Sequence, residues 1–135
     1  MILVDTSAWV EYDRATGSPV HRRLRELIAS DGPVAVTQPV VAEVLVGARD
    51  EDRERQLRRL LDRFDLLLFD ASVDFDGAVS VYRQCRRAGV TPRGLVDCMI
   101  AAVALRYGAR LLARDVDLAR IAEVLPLPLD EATER

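Results

Sequence analysis

The sequence contains no lysine, so all nineteen of its basic residues are arginine. That absence excludes chemistry built on a side-chain amine, including the P-loop lysine that reaches nucleotide phosphates and Schiff-base catalysis. Histidine is nearly missing too. With His21 as the single imidazole, a zinc site of paired histidines is improbable on composition alone. Cys85 and Cys98 are the only cysteines, too few for a disulfide framework, and they read as reduced thiols in a core. No apolar run approaches the roughly 20 residues of a membrane helix. The first residues also lack the basic stretch and cleavage site of a secretory signal. A cytoplasmic protein without membrane contact is the expectation. The net charge of −3 argues against coating nucleic acid by bulk electrostatics. It leaves room for a nucleic-acid enzyme whose acids are concentrated at a metal.

What is present is 135 residues of ordinary globular composition, enough for one domain over residues 1–135 with a sizeable core. Short apolar runs alternate with amphipathic stretches. Ile2–Val4, Val34–Thr37, Leu66–Phe69 and Arg110–Ala113 read as buried strands, with a possible edge strand at Leu125–Leu129. Between them, helices are expected from Thr6 or Ser7 onward, after the Ser18-Pro19 cap, over Gln38–Ala48, over Asp50–Phe64 and from Ser72 to about Arg87. Leu57, Leu60, Leu61 and Phe64 form the inner face of one, with Glu51/Arg55 and Glu54/Arg58 pairs outside. Phe75, Ala78, Val79, Tyr82 and Cys85 form the inner face of another. Leu95–Tyr107 is apolar on nearly every side and reads as a central buried helix that Gly108 ends. A last helix runs over Leu118–Val124, and Asp130–Arg135 is expected to fray. The alternation implies an α/β fold, a three-layer α/β/α sandwich around a mostly parallel sheet. Right-handed crossovers then bring the strand ends to one edge.

Carboxylates arrive at that edge from four separate segments. Asp5 ends the first strand, Glu43 lies about one turn into the helix after the second, Asp97 lies in the first turn of the apolar helix, and Asp115 and Asp117 follow the last strand. Glu43 and Asp97 sit among apolar neighbours, where an unpartnered carboxylate is costly to bury. Clustered acids repel one another, so a divalent cation or arginines must compensate them. All-oxygen ligands suit Mg²⁺ or Mn²⁺. One or two such ions, about 3.5–4 Å apart, can activate water for phosphodiester hydrolysis.

The stretches Leu-Val-Asp-Thr-Ser-Ala-Trp, Val-Val-Ala-Glu-Val-Leu-Val-Gly-Ala, Leu-Val-Asp-Cys-Met-Ile-Ala-Ala and Leu-Leu-Ala-Arg-Asp-Val-Asp-Leu-Ala-Arg-Ile-Ala together resemble the PIN-domain nucleases. They are most similar to the VapC-type toxins of bacterial toxin–antitoxin pairs. Each stretch alone is weak; four in order across the whole chain are not. The resemblance implies a Mg²⁺- or Mn²⁺-dependent endoribonuclease acting on structured RNA such as tRNA or rRNA, restrained by a VapB-type antitoxin and expected to form a homodimer. Carried over by position, Asp5 and Asp97 match the principal metal ligands, Glu43 the acid completing the site and Asp115 the fourth acid. Asp117 is a nearby alternative, and Thr6 matches a small polar residue that orders the site. Gly94 departs from the serine found in many relatives, and Leu118 from an aromatic.

Some residues also carry plainer readings. Asp117 fits an N-cap for the last helix, His21 a solvated position, and Trp9 and Tyr12 a core or subunit interface. For Arg86, Arg87 and Arg93, contact with RNA phosphates and a solvated helix end remain equally open. Two other function classes fit the residues less well. A phospho-accepting receiver-like domain needs a lysine that this chain lacks. A non-catalytic binding module that keeps the fold has no reason to retain costly clustered acids.

Overall fold

The computed structural model describes residues 1–135. Its centre is β1 (Ile2–Val4), three apolar residues with almost no exposure. β1 pairs in parallel with β2 (Val34–Val36) on one side, Ile2 opposite Val34, and with β4 (Arg110–Leu112) on the other, Ile2 opposite Arg110. β3 (Asp65–Leu66) adds to β2, which makes the order β3-β2-β1-β4. Because β2 and β4 lie on opposite sides of β1, the connections diverge at its C-terminal end. That reversal opens the crevice where doubly wound sheets place their chemistry.

Helices α1 (Thr6–Arg14), α2 (Pro19–Ala29), α3 (Gln38–Val46), α4 (Glu51–Leu61), α5 (Asp74–Arg87), α6 (Leu95–Tyr107) and α7 (Val116–Val124) complete the α/β/α sandwich. None is long and apolar enough to cross a membrane. Leu3, Val4, Leu24, Ile100, Leu111, Leu112, Leu118 and Ile121 are among the fully buried side chains of one core. α6 is its central helix. Cys98, Ile100, Ala101, Val103 and Ala104 have no exposure, and Gly108 ends the helix with a left-handed φ of 66°. Gly77 of α5 lies against Ala102 of α6, where an added Cβ would stand 3.2 Å from the alanine's own. The two helices therefore meet through small residues.

Several expectations need correction. Ser18 caps α2 and Pro19 opens it as expected, but Ser72 does not cap α5. Its hydroxyl and amide both bond Asp70, and Asp74 instead accepts the Asp70 N–H at 2.7 Å. The inner face of α5 is Ala78, Val81 and Cys85, while Phe75 and Val79 are about half exposed. The helix begins later than the sequence suggests, and its register against α6 follows from the close approach at Gly77. The third strand is two residues long and lies at the sheet edge, so of Leu66, Leu67 and Leu68 only Leu67 is buried. Arg58 pairs with Glu54 across one turn, whereas Arg55 takes Asp52 and not Glu51. His21 is buried, its Nδ1 accepting the Gly17 N–H at 2.9 Å.

The C-terminal residues do not fray. Asp130 receives Arg23 in a two-pronged ion pair at 3.1–3.4 Å. Thr133 donates its hydroxyl to the Leu111 carbonyl at 2.7 Å and accepts the Ala113 N–H at 3.2 Å. In place of a regular edge strand, Leu129 makes a single parallel bridge to Leu111. The tail thus satisfies the outer edge of β4, whose backbone groups are otherwise open.

Candidate metal centre

Asp5 follows β1 directly and is the N-cap of α1, a role expected of Thr6 or Ser7. Its Oδ2 accepts the Ser7 N–H at 3.0 Å and the Ser7 hydroxyl at 2.5 Å. Its Oδ1 is buried and has no partner at all. The Ser7 oxygen in turn accepts the Arg114 N–H at 2.9 Å. One hydroxyl therefore ties the end of β1 to the turn after β4. Sequence reasoning treated Ser7 as at most a cap; the Asp-Thr-Ser spacing is a known local signal for an aspartate bonding its neighbour's amide two residues on.

That turn carries the next two acids. Asp115 is the N-cap of α7, its Oδ1 accepting the N–H groups of Asp117 at 2.8 Å and Leu118 at 3.2 Å. The capping role expected of Asp117 therefore belongs to Asp115. Asp117 lies in the first turn, 4% exposed, and accepts Arg93 Nε at 2.8 Å. Arg93, one of three candidate RNA-contacting arginines, here neutralises an acid of the cluster. Arg86 bonds the Tyr82 hydroxyl at 3.3 Å and Arg87 is exposed; neither joins the acids.

Asp97 enters from the first turn of α6, half-buried and without a hydrogen bond to its carboxylate. One ligand oxygen each from Asp97, Asp115 and Asp117 lies within 4.8 Å of the others. Glu43 of α3 lies outside that group of three, held by the Thr6 hydroxyl at 2.6 Å, and near enough to repel Asp5 and Asp97. The expectation that Glu43 is buried fails: it is exposed, because α3 turns only Val40 fully inward.

The electrostatics follow from this crowding. Burial pushes the Asp5 carboxyl up to about 6 against the two Ser7 bonds, with repulsion from Asp115 and Glu43 adding to it. Burial, then repulsion from Asp115, Asp5, Asp117 and Glu43, pushes Asp97 up to about 7. Arg93 compensates one acid of five. The carboxylate oxygens of Asp97, Asp115 and Asp117 form an all-oxygen donor set that fits a hard divalent cation. Asp5, with its unpartnered Oδ1, lies outside that group but close enough for its charge to act on Asp97. Cys98, beside Asp97, is fully buried and its thiol is raised to about 11 by burial, which leaves it a core residue.

The chain matches the model of the PIN domain over residues 2–124. It is 44% identical over 128 residues to ribonuclease VapC11 of Mycobacterium tuberculosis, covering 94% of this chain and 96% of that one. Among solved structures it is similar to VapBC2 from Rickettsia felis bound to a DNA fragment from their promoter, with a TM-score of 0.76, 21% identity and coverage of 96% and 98%. VapC20 of Mycobacterium tuberculosis, a sarcin–ricin-loop-cleaving toxin, gives a TM-score of 0.67 at 22% identity, covering 95% and 99%. Sequence likeness over nearly the full length and the family match over residues 2–124 lead to one conclusion: the chain belongs to the PIN-domain family, among its VapC-type ribonucleases.

Proposed function

We propose that this protein is the toxin of a toxin–antitoxin pair, an endoribonuclease that hydrolyses phosphodiester bonds in structured RNA of the tRNA or rRNA class. Asp5, Glu43, Asp97 and Asp115 are the acids we assign to the reaction, with Mg²⁺ or Mn²⁺ held chiefly by Asp5, Asp97 and Asp115. Asp117 supports the cluster through its pair with Arg93, and Thr6 supports Glu43. The single observation that carries this reading is the convergence of carboxylates from four separate segments, two of them held well above the usual carboxylate range.

When bound, a divalent cation supplies the positive charge that activates a water nucleophile and stabilises the leaving oxygen. The protein's part is placement. Ser7 fixes one oxygen of Asp5 and leaves the other without a hydrogen-bond partner. The α7 amides hold one oxygen of Asp115 in the same way. Asp5 and Asp97 would hold the cation in their ionised forms, since ligation requires the carboxylate. Arg86, Arg87 and Arg93 border the approach to Asp97 in sequence, and we assign Arg86 and Arg87 to RNA phosphates. A VapB-type antitoxin is the expected protein partner, in line with the VapBC2 complex, and a cytoplasmic homodimer is the expected state.

The test is cleavage of labelled RNA by purified protein with Mg²⁺ or Mn²⁺. Asp5→Asn and Asp97→Asn are expected to lose at least about 100-fold in rate while keeping the wild-type circular dichroism spectrum. Wild-type rates in either variant would remove that residue from the site. Sequencing the RNA ends left by the active protein identifies the substrate, and co-expression with the neighbouring gene's product is expected to abolish cleavage.

A further inference from the structure

Arg114 immediately precedes Asp115, the N-cap of α7, and it is anchored through both its backbone and its side chain. Its N–H donates to the Ser7 hydroxyl at 2.9 Å, and that hydroxyl donates to Asp5 at 2.5 Å. Its guanidinium donates to two carboxylates from distant segments. Nη1 bonds Glu11 of α1, and Nε bonds Glu134 of the C-terminal tail at 2.6 Å. Glu134 is itself tied back, its N–H donating to the Ala113 carbonyl at 3.2 Å. One residue thus joins α1, the tail and the acid-bearing turn.

The two carboxylates are not equivalent. The Glu11 side chain is 12% exposed and that of Glu134 is 60% exposed. Glu11 also accepts the Thr16 hydroxyl at 2.8 Å. Burial raises the Glu11 carboxyl, but the bonds from Thr16 and Arg114 outweigh it and hold the group below the usual carboxylate range. An enclosed, ionised partner of this kind fixes a guanidinium, whereas an exposed pair contributes little in water. Ser7 and Glu11 are four residues apart, so they share one face of α1. Arg114 grips that face at two points, Ser7 through its backbone and Glu11 through its side chain. One hydrogen bond sets a distance; two points along a helix also set the orientation of the turn that holds Asp115. Asp5 caps the same helix, and Asp115 is near enough to raise its carboxyl.

We propose that Arg114 is a positioning residue: with Glu11 it forms a strut that sets Asp115 against Asp5 and so governs how tightly the site holds a divalent cation. The proposal rests on the metal-dependent ribonuclease reading and names what fixes the geometry of its acids. Arg114 acts through Asp115, not on the RNA. Groups that orient metal-binding side chains from behind change metal affinity by about 10- to 100-fold, and a strut that spans both acids belongs with them.

The experiment titrates Mn²⁺ into the full chain by calorimetry and measures kcat and KM for a labelled RNA hairpin beside it. Arg114→Gln is expected to weaken Mn²⁺ binding about 10-fold. At subsaturating Mn²⁺ it should lower kcat while KM for RNA stays unchanged. Glu11→Gln keeps the shape and an acceptor for Thr16, and it should reproduce the loss. The double variant Glu11→Gln/Arg114→Gln leaves no enclosed charge unpaired, so it should recover the wild-type melting temperature but not the Mn²⁺ affinity. Because both residues act through one strut, its loss should be no larger than either single loss. In metal-free protein, amide exchange at Asp117 and Leu118, which bond Asp115, should speed up in all three variants. Wild-type Mn²⁺ affinity and exchange in both single variants would overturn the strut. Recovery of Mn²⁺ affinity in the double variant would overturn it too, since the single variants would then have damaged only the fold. A raised KM and a shallower salt dependence in Arg114→Gln, with Mn²⁺ affinity kept, would make Arg114 an RNA contact instead. If wild type binds Mn²⁺ and cuts no RNA, the ribonuclease reading fails while the titration still decides the strut.

Discussion

At the scale of single residues, the acids are placed against their own preference, and pH exposes this. The folded pKa values of Asp5 and Asp97, about 6 and about 7, lie above the ordinary 3.8. Between about pH 4 and pH 7 the folded state therefore binds more protons than the unfolded chain, and stability falls as pH rises through that window. Metal-free protein should accordingly be more stable near pH 5 than near pH 8, by at most about 1.4 kcal/mol per pH unit for each proton released. Urea denaturation in EDTA across that range measures it. Asp97→Asn should flatten the curve, and saturating Mn²⁺ should reverse its sign, because the cation binds the ionised form. A rising curve for the metal-free protein would contradict the burial and repulsion described for these two groups. Ser7 belongs to the same scale. Ser7→Ala removes the hydroxyl shared by Asp5 and the Arg114 N–H, and supporting groups of this kind change metal affinity by about 10- to 100-fold. Calorimetric Mn²⁺ titration should show such a loss, with Ser7→Thr restoring most of it. The sequence exposed Asp5 because an acid ending an apolar run is conspicuous. It concealed Ser7, because a serine after an aspartate looks the same whether it caps a helix or bridges two loops.

At the scale of elements, α6 is the piece whose sequence and structure agree most closely. An all-round apolar helix has one place to go, so its burial follows from composition. α5 is the opposite case. Its apolar pattern predicts Phe75, Ala78, Val79, Tyr82 and Cys85 inside. Ala78 and Cys85 are buried and Tyr82 packs on the core, but Phe75 and Val79 are about half exposed and Val81 is inside instead. The structure turns Ala78, Val81 and Cys85 inward, because Gly77 lets α5 approach α6 at Ala102 more closely than a larger residue permits. Gly77→Val should therefore be destabilising by about 1–3 kcal/mol through overpacking, seen as a lower urea midpoint with an unchanged slope. An unchanged midpoint would mean that the helices can separate without loss. Asp74, at the start of α5, is held below the usual carboxylate range by the Arg106 guanidinium on α6, which bonds both of its oxygens at 2.7–2.9 Å. This second link between the helices was invisible in sequence because its partners are thirty-two residues apart.

At the scale of the whole molecule, the strand order β3-β2-β1-β4 makes the site. It sets Asp5 beside the turn after β4 and lets the first turn of α6 bring Asp97 to the same crevice. The C-terminal tail then locks β4 from outside through Thr133 and Asp130. Thr133→Val keeps the shape but leaves the Ala113 N–H without its buried acceptor, and it should destabilise the fold by about 1–3 kcal/mol. Thermal unfolding of Thr133→Val beside wild type tests this; equal melting temperatures would return the tail to the frayed state its composition suggests. The sequence by itself determined the alternation of strands and helices, the buried centre at β1 and α6, and which acids stand at strand ends or helix starts. Those are local properties, set by apolar run length, periodicity and capping chemistry. Only the tertiary structure decided that Asp115 and not Asp117 caps α7, that Arg93 is spent on Asp117, that Glu43 is exposed, and that the tail is docked. Each of these depends on which side chains meet across long sequence separations, and a side chain's partner there is fixed by packing rather than by its neighbours in the chain.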